Sequence, residues 1–173
     1  SWGHEPWLHR YTRSDLEAEL VRAEDALVAA GAPRPIGFRG PGYSVTPALL
    51  EILAARGYRY DASTLPTWIG PLARAYHNRT ARNGAEDLFG GFGKVLAPNT
   101  PFRWHGTGLV ELPVTTMPLL RVPIHGAYLL QLHQISPRLA RGYFRAALRL
   151  CLLTGTAPSL LLHPTDVLSG AEA

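Results

Sequence analysis

The sequence has little of several features that would narrow its function at once. Its 173 residues include one cysteine, Cys151, one lysine, Lys94, and no apolar run of the length that crosses a membrane. A single cysteine excludes an internal disulfide framework and a zinc site built from several cysteines. Because every apolar run falls well short of about 20 residues, we expect no membrane span. The net charge of +4 comes mostly from arginines scattered along the chain, so we expect no nucleic-acid partner.

The composition predicts one globular domain over residues 1–173. Hydrophobic residues make up 46% and charged residues 17%, which suits a chain with a core. The 17 glycines and 15 prolines fit the many short connections of an α/β fold. Cys151 lies in an apolar run, where we expect it to be part of the core. No secretory signal is visible, and the sequence does not distinguish a cytoplasmic from a cell-envelope location.

A strand–helix–strand rhythm is predicted for residues 14–61. A helix is expected to begin at Ser14, in a capping box with Glu17, and to end near Gly31. Residues 35–39 are predicted as a strand, and a second helix begins at Thr46-Pro47. Residues 58–61 form the next predicted strand. This order is typical of a βαβ unit with a parallel sheet.

The second half of the chain is predicted to continue the same pattern. We expect a helix around 71–79, a long loop up to residue 106, and a strand over 109–114. A short helix is predicted over 125–133 and a strong one over 137–153. Residues 159–163, Ser-Leu-Leu-Leu-His, form a final predicted strand. We expect it to be buried because three consecutive leucines precede His163.

Two of these strands end in side chains that can carry chemistry. Arg39 closes one and His163 closes another, so both are expected at the same edge of a parallel sheet. Asp166 follows His163 closely and could orient its ring. The alternatives are a histidine that only satisfies a strand end and an arginine that only forms a structural salt bridge.

His4 and His9 form a possible pair of metal ligands. They lie five residues apart, whereas two ligands on one helix face need a spacing of four. A metal shared by both therefore requires a loop or an irregular turn here. Two histidines are also fewer than the three protein ligands of an ordinary catalytic zinc site.

Several stretches together resemble the polysaccharide deacetylase family, which is also called the NodB-homology or carbohydrate esterase 4 family. One is Arg39-Gly40-Pro41-Gly42, similar to the family's third motif, with the Gly-Tyr-Arg-Tyr-Asp-Ala-Ser stretch at 57–63 behind it. Another is the Val-Glu-Leu-Pro-Val strand at 110–114. The last is the apolar run at 160–162 ending in His163-Pro164-Thr165-Asp166, similar to the fifth motif. The resemblance covers nearly the whole chain.

The resemblance implies a fold, an activity and roles for particular residues. The fold would be α/β, a distorted (β/α) barrel. The activity would be metal-dependent hydrolysis that removes acyl groups, N-acetyl groups in particular, from an amino-sugar polysaccharide or glycolipid. Arg39 would orient a catalytic aspartate, and the backbone N–H of Gly42 would contribute to an oxyanion hole. His163 would be the general acid, and the divalent metal, zinc in the first instance, would polarise the acyl carbonyl.

The two histidines correspond to the family's His-x-x-x-His motif in one of two registers. In one register His9 is the first ligand and Arg13 stands in place of the second. In the other, which we prefer, His9 is the second ligand and His4 an approximate first. The family's opening Asp-Asp motif has no match in this chain. We expect its strand upstream of Ser1, which would leave this barrel incomplete at the amino terminus and its activity weak or absent.

Two other functions are compatible with the same sequence. A domain without its catalytic base could be a carbohydrate-binding remnant of the fold, with sugar rings stacked on the tryptophans Trp2, Trp7, Trp68 and Trp104. A hydrolase of the same fold could instead act on small cyclic or linear amides.

Overall fold

A parallel βαβ unit organises the amino-terminal half of the molecule. The computed structural model describes residues 8–68 and 97–162. Within these residues the fold is mixed α/β, with four α-helices and one four-stranded sheet. The helices are α1 (Arg13–Ala29), α2 (Pro47–Ala55), α3 (Gly126–Ile135) and α4 (Pro137–Leu153). The strands are β1 (Gly37–Phe38), β2 (Tyr60–Asp61), β3 (Phe102–Arg103) and β4 (Val110–Glu111).

The sheet brings the carboxyl ends of three strands to one edge. Its strand order is β1-β2-β4-β3; β1, β2 and β4 run parallel, and β3 is antiparallel to β4. The register pairs Phe38 with Asp61, and Asp61 with Glu111. The predicted parallel βαβ unit is thus confirmed, because α2 connects β1 to β2.

The first helix begins two residues earlier than predicted. The N-cap of α1 is Thr12, whose side chain accepts from the backbone N–H of Asp15, and the Asp15 carboxylate accepts from the Thr12 N–H at 3.0 Å. The prediction of a capping box between Ser14 and Glu17 was therefore wrong, since both residues lie inside the helix. Thr12 and Asp15 have the same three-residue spacing as Ser14 and Glu17, but their acid is an aspartate instead of the glutamate that is typical of a capping box.

The second helix begins where its sequence predicts. Thr46 is the N-cap of α2 and accepts from the N–H of Leu49 at 3.2 Å, and Pro47 occupies the first turn. Leu49, Ile52 and Leu53 are at most 1% exposed. These leucines and the isoleucine lie in the largest core cluster of the described chain, together with Leu16 and Leu20 of α1.

A second, smaller core lies beneath α4. Met117, Ile124 and Ala147 form it, and the Tyr143 hydroxyl donates to the carbonyl oxygen of Pro123 at 2.6 Å. Cys151 of α4 is buried, which confirms its predicted place in a core.

The end of the described chain differs from its prediction. Residues 159–162 were predicted as part of a buried strand, but they form no strand, and Leu160 and Leu162 are 43% and 55% exposed. Their backbone is held instead by irregular hydrogen bonds: Ser159 with Thr115, and Leu161 with the N–H of Gly126 at 2.8 Å. An apolar run alone could not reveal this, because burial depends on which elements lie alongside it.

Other boundaries also moved. Strand β3 lies in the region predicted as a long loop, the strand expected over 109–114 contains only Val110–Glu111, and α3 continues to Ile135. The helix expected around 71–79 lies outside the described residues. No helix in the described ranges is long and apolar enough to cross a membrane.

An ion cluster around the buried Glu24 connects α1 to the residues that precede β1 and β2. Glu24 of α1 is only 3% exposed, and its carboxylate accepts from Arg56 at 2.6 and 2.9 Å and from Arg34 at 2.6 Å. The Tyr58 hydroxyl donates to it at 3.2 Å. The hydrogen bonds from Arg56 hold the pKa of Glu24 below its ordinary value of 4.5. The cluster therefore contains an ionised glutamate with its charge compensated.

Candidate functional site

A tight turn follows β1 and carries one of the predicted site residues, Gly42. It comprises Gly40 and the single 3-10 turn Pro41–Tyr43, and we call these four residues the 40–43 turn. Gly42 and Tyr43 have φ values of 58° and 60°, in the left-handed region. Glycine adopts this conformation readily, whereas tyrosine does so at a cost of about 1 kcal/mol or more. The N–H of Tyr43 donates to Gly40 O at 3.1 Å, which closes the turn.

The backbone N–H of Gly42 is an available hydrogen-bond donor. Gly42 is exposed, and no acceptor in the described ranges takes its N–H. The neighbouring donors are occupied, since Tyr43 donates to Gly40 and Ser44 donates to Pro41 at 3.0 Å. An N–H in a fixed turn that no described residue accepts is the kind of group that stabilises an oxyanion.

Arg39 lies immediately before this turn. Its Nε donates to the carbonyl oxygen of Ala62 at 2.9 Å, so the side chain bridges the carboxyl ends of β1 and β2. The residue is exposed, and no other hydrogen bond of its guanidinium is found among the described residues. Nearby, burial raises the pKa of Tyr43, and the charge of Arg39 opposes that shift. The predicted structural alternative for Arg39, a salt bridge, is not found in the described part of the chain.

Gly40 is required for close packing rather than for an unusual φ. Its N–H donates to Ser63 Oγ at 2.7 Å. A Cβ added at this position would lie 1.8 Å from the backbone oxygen of Ser44, so the turn cannot accommodate a side chain there. The 40–43 turn is thereby fixed against the end of β2.

Two carboxyl side chains lie buried behind the turn. Asp61 ends β2 and Glu111 ends β4, they are register partners, and both are 0% exposed. Asp61 Oδ1 accepts from the Ala62 N–H at 2.9 Å and from Ser63 Oγ at 2.5 Å. Glu111 accepts from the Thr64 N–H at 2.8 Å and from the Trp104 indole at 3.0 Å.

The pair differs in character from an ordinary set of surface acids. Burial, and then the neighbouring charge and hydrogen bond of Asp61, raise the pKa of Glu111 to about 7. No arginine, lysine or histidine in the described ranges donates to either carboxyl group. Asp61 Oδ2 has no donor there either. A proton on Glu111 would relieve the repulsion and give Asp61 Oδ2 a donor.

The segment that contains His9 borders the same region. Residues 8–10 form a short 3-10 helix, and Leu8 and Tyr11 line a cavity of about 280 Å³ together with Phe38, Arg39 and Pro41. The structure thus brings the backbone around His9 near the start of the 40–43 turn. The side chain of His9 is not described.

The remaining predicted site residues lie outside the described ranges. They are His163, Asp166 and His4. Arg39 and Gly42 are therefore the two predicted site residues that the structure locates, and it brings them together in one segment. Within residues 8–68 and 97–162 no group of three or more histidine, cysteine, aspartate or glutamate side chains could hold a metal ion. The described side chains by themselves do not form a metal centre.

The described tryptophans differ in their suitability for sugar stacking. Trp104 is partly buried, with its indole N–H committed to Glu111. Trp68 is 44% exposed, and its indole N–H donates to the carbonyl oxygen of Leu120 at 2.7 Å. Trp68 is the better candidate for a stacking surface of the two.

Comparisons of this chain with protein-family models, with curated proteins and with solved structures gave no match. The geometry of the site and the sequence resemblance therefore carry the functional argument together.

The Asp61–Glu111 pair was missed by sequence reasoning. In the sequence Asp61 belongs to the Gly-Tyr-Arg-Tyr-Asp-Ala-Ser stretch and Glu111 to a predicted strand, and neither pattern marks the residue as functional. A usable signal was present for Asp61, which ends the strand predicted over 58–61, since the carboxyl ends of parallel strands meet at one edge of the sheet. Glu111 lies inside the strand predicted over 109–114, so its position gave no such signal. What the sequence did not supply was the register that sets Asp61 opposite Glu111.

Proposed function

We propose that this chain is a domain of the polysaccharide deacetylase type. It would be a metal-dependent hydrolase that removes acyl groups, N-acetyl groups in particular, from an amino-sugar polysaccharide or glycolipid. The accompanying fold is a distorted (β/α) barrel, of which β1, α2, β2 and β4 would be one part. The proposal is carried by the N–H of Gly42, which no acceptor within residues 8–68 and 97–162 takes, beside Arg39 at the carboxyl end of a parallel strand.

Each residue has a distinct part in this proposal. The Gly42 N–H would donate to the acyl oxygen as negative charge develops on it. Arg39, anchored by Ala62 O, would orient an acidic group of the catalytic machinery with its free guanidinium nitrogens. His163, oriented by Asp166, would protonate the leaving amine. A divalent metal, zinc in the first instance, is assigned to His4 and His9 by the resemblance alone.

Acetate release from N-acetylglucosamine oligomers tests the proposal. Protein stripped of metal and then given zinc is expected to release acetate slowly, and a chelator should stop the release. Arg39→Ala should lower the rate at least about tenfold, because a misplaced partner group costs that much or more. Arg59→Ala is the matched control, since Arg59 is an exposed arginine at the other end of β2. It should leave the rate unchanged.

Metal content should be measured on the same preparations. We expect one zinc ion per chain, lost in His4→Ala and His9→Ala and retained in His133→Ala, a histidine of α3 that is exposed. Sugar binding without acetate release, unaffected by chelator and lost in Trp68→Ala, would instead support the carbohydrate-binding function. Hydrolysis of small amides but not of sugars would move the substrate class to the third function.

A further inference from the structure

The 40–43 turn is connected to the buried carboxyl pair by a continuous chain of hydrogen bonds. The Gly40 N–H donates to Ser63 Oγ at 2.7 Å, and Ser63 Oγ donates to Asp61 Oδ1 at 2.5 Å. Asp61 in turn is the register partner of Glu111 on the adjacent strand β4. All four residues in this series of hydrogen bonds and contacts are buried, so no solvent competes with its hydrogen bonds.

We propose that Asp61 and Glu111 share one proton and act as a positioning pair that holds the 40–43 turn through Ser63. The geometry favours one proton over none. Two ionised carboxylates on adjacent strands, both fully buried and with no described cation beside them, would repel each other at close range. One proton between them supplies the donor that Asp61 Oδ2 lacks.

Few other titratable groups surround the pair in the described part of the chain. Arg39, directly after β1, donates to the carbonyl oxygen of Ala62 and not to either acid. From β3, Arg103 donates to the carbonyl oxygen of Gly108 at 3.0 Å, and Trp104 supplies an indole that does not titrate. Tyr60, beside Asp61 on β2, packs against Gly37. Among the described side chains, the proton on the pair is therefore the main variable charge at this end of the sheet.

Loss of that proton has a predictable consequence for the turn. A second negative charge would push Asp61 away from Glu111 and alter the geometry that Ser63 receives from it. Because Ser63 Oγ is also the acceptor of the Gly40 N–H, the change passes to the start of the 40–43 turn. The Gly42 N–H, two residues further on, would then be less well positioned. This last step rests on the proposed function, whereas the proton linkage does not.

Nuclear magnetic resonance can follow Glu111 and Gly40, the two ends of this hydrogen-bonded series, separately. The side-chain carboxyl carbon of Glu111 is expected to titrate near pH 7 instead of near 4.5, in agreement with the raised pKa. The amide signal of Gly40 should shift with the same midpoint. In Glu111→Gln the Gly40 shift should disappear, and in the control Glu51→Gln, which removes an exposed acid, it should persist.

A third variant separates the connection from the pair. In Ser63→Ala the Glu111 carboxyl should still titrate near pH 7, while the Gly40 amide should no longer follow it. A Glu111 carboxyl that titrates near 4.5, or a Gly40 amide that ignores the titration of Glu111 in the unmodified chain, would overturn the proposal even if the Ser63 variant fails to fold. Linked titrations in a chain that neither binds zinc nor releases acetate would leave the proton linkage standing and contradict only the proposed function.

Discussion

Two glutamates of this molecule are almost completely buried, and their surroundings have opposite effects. Glu24 lies on α1, where Arg56 at the end of α2 and Arg34 compensate its charge. Glu111 lies at the end of β4, where its nearest ionisable neighbour is another acid, Asp61. The arginines lower the pKa of Glu24, and burial beside Asp61 raises that of Glu111 to about 7.

The difference shows that burial alone does not decide the state of an acid. Glu24 is 3% exposed and Glu111 is 0% exposed, so their solvent access is nearly the same. Glu24 is expected to be ionised, because guanidinium groups hydrogen-bond to its carboxylate. Glu111 is expected to hold its proton, because its described neighbours offer an indole, a backbone N–H and a like charge but no cation. The first is a structural anchor, and the second is suited to respond to pH.

The largest effect on the free energy of unfolding is expected when the ion cluster around Glu24 is broken. Glu24→Gln should lower the free energy of unfolding by about 3 kcal/mol, because it leaves Arg56 without its buried partner. Urea unfolding at neutral pH measures this. Glu19→Gln is the control on the same helix: its partner Arg22 is 70% exposed, and such pairs contribute less than about 1 kcal/mol. Equal losses in both variants would mean that the Glu24 cluster has no special weight.

The next prediction reverses the usual pH dependence of an acid. A folded-state pKa near 7 for Glu111, above its ordinary 4.5, means that the folded state keeps a proton which the unfolded state has released. Stability from this group is therefore fully present below pH 4.5 and falls as the pH rises to about 7. Relative to Glu111→Gln, the unmodified protein should lose about 2–3 kcal/mol across that window.

The same series of unfolding measurements sharpens the comparison at the acid end. The pKa of Glu24 is depressed, so its contribution is present above pH 4.5 and is lost as the pH falls through its folded value. The difference between the unmodified protein and Glu24→Gln should therefore shrink towards low pH. Glu111→Gln resembles the protonated acid, so the unmodified protein should instead become less stable than this variant as the pH rises. Parallel pH profiles for the two variants would contradict the comparison.

The turn attached to the Glu111 region provides a smaller effect. Gly40→Ala should cost about 2 kcal/mol, because its Cβ would overlap the backbone of Ser44 and only backbone movement could relieve the overlap. Gly142→Ala is the matched control, since an added Cβ there meets nothing within 4 Å and alanine favours the helix. The control should stabilise the protein slightly. Any acetate release should also be lost in Gly40→Ala and kept in Gly142→Ala.

The smallest effect concerns the start of the helix that carries Glu24. Thr12→Ala should lower the free energy of unfolding by about 1 kcal/mol, because it removes the N-cap hydrogen bond to Asp15. Ser14→Ala should change it by less than half of that, since Ser14 is exposed inside the helix. Thermal unfolding of the two variants distinguishes them. The reverse order would restore the capping box first predicted at Ser14.

Part of this protein can be predicted from sequence because it depends on neighbours along the chain. The cap at Thr46, the helix of residues 137–153 and the turn after Arg39 follow from local propensities, proline and glycine. The alternation of strands and helices also indicates the parallel unit from which Arg39 and Gly42 emerge. These interactions span only a few residues, so short patterns reveal them.

The rest depended on contacts between distant parts of the chain. Glu24 meets Arg56 across 32 positions, and Glu111 receives the N–H of Thr64 across 47. The register of β2 against β4 sets Asp61 opposite Glu111, and no local pattern encodes that register. The exposure of residues 160–162 likewise depended on what packs beside them. The sequence by itself determined the helices and turns, whereas only tertiary structure decided which acids are buried and which of them has a compensating charge, because burial and charge pairing are properties of the assembled chain.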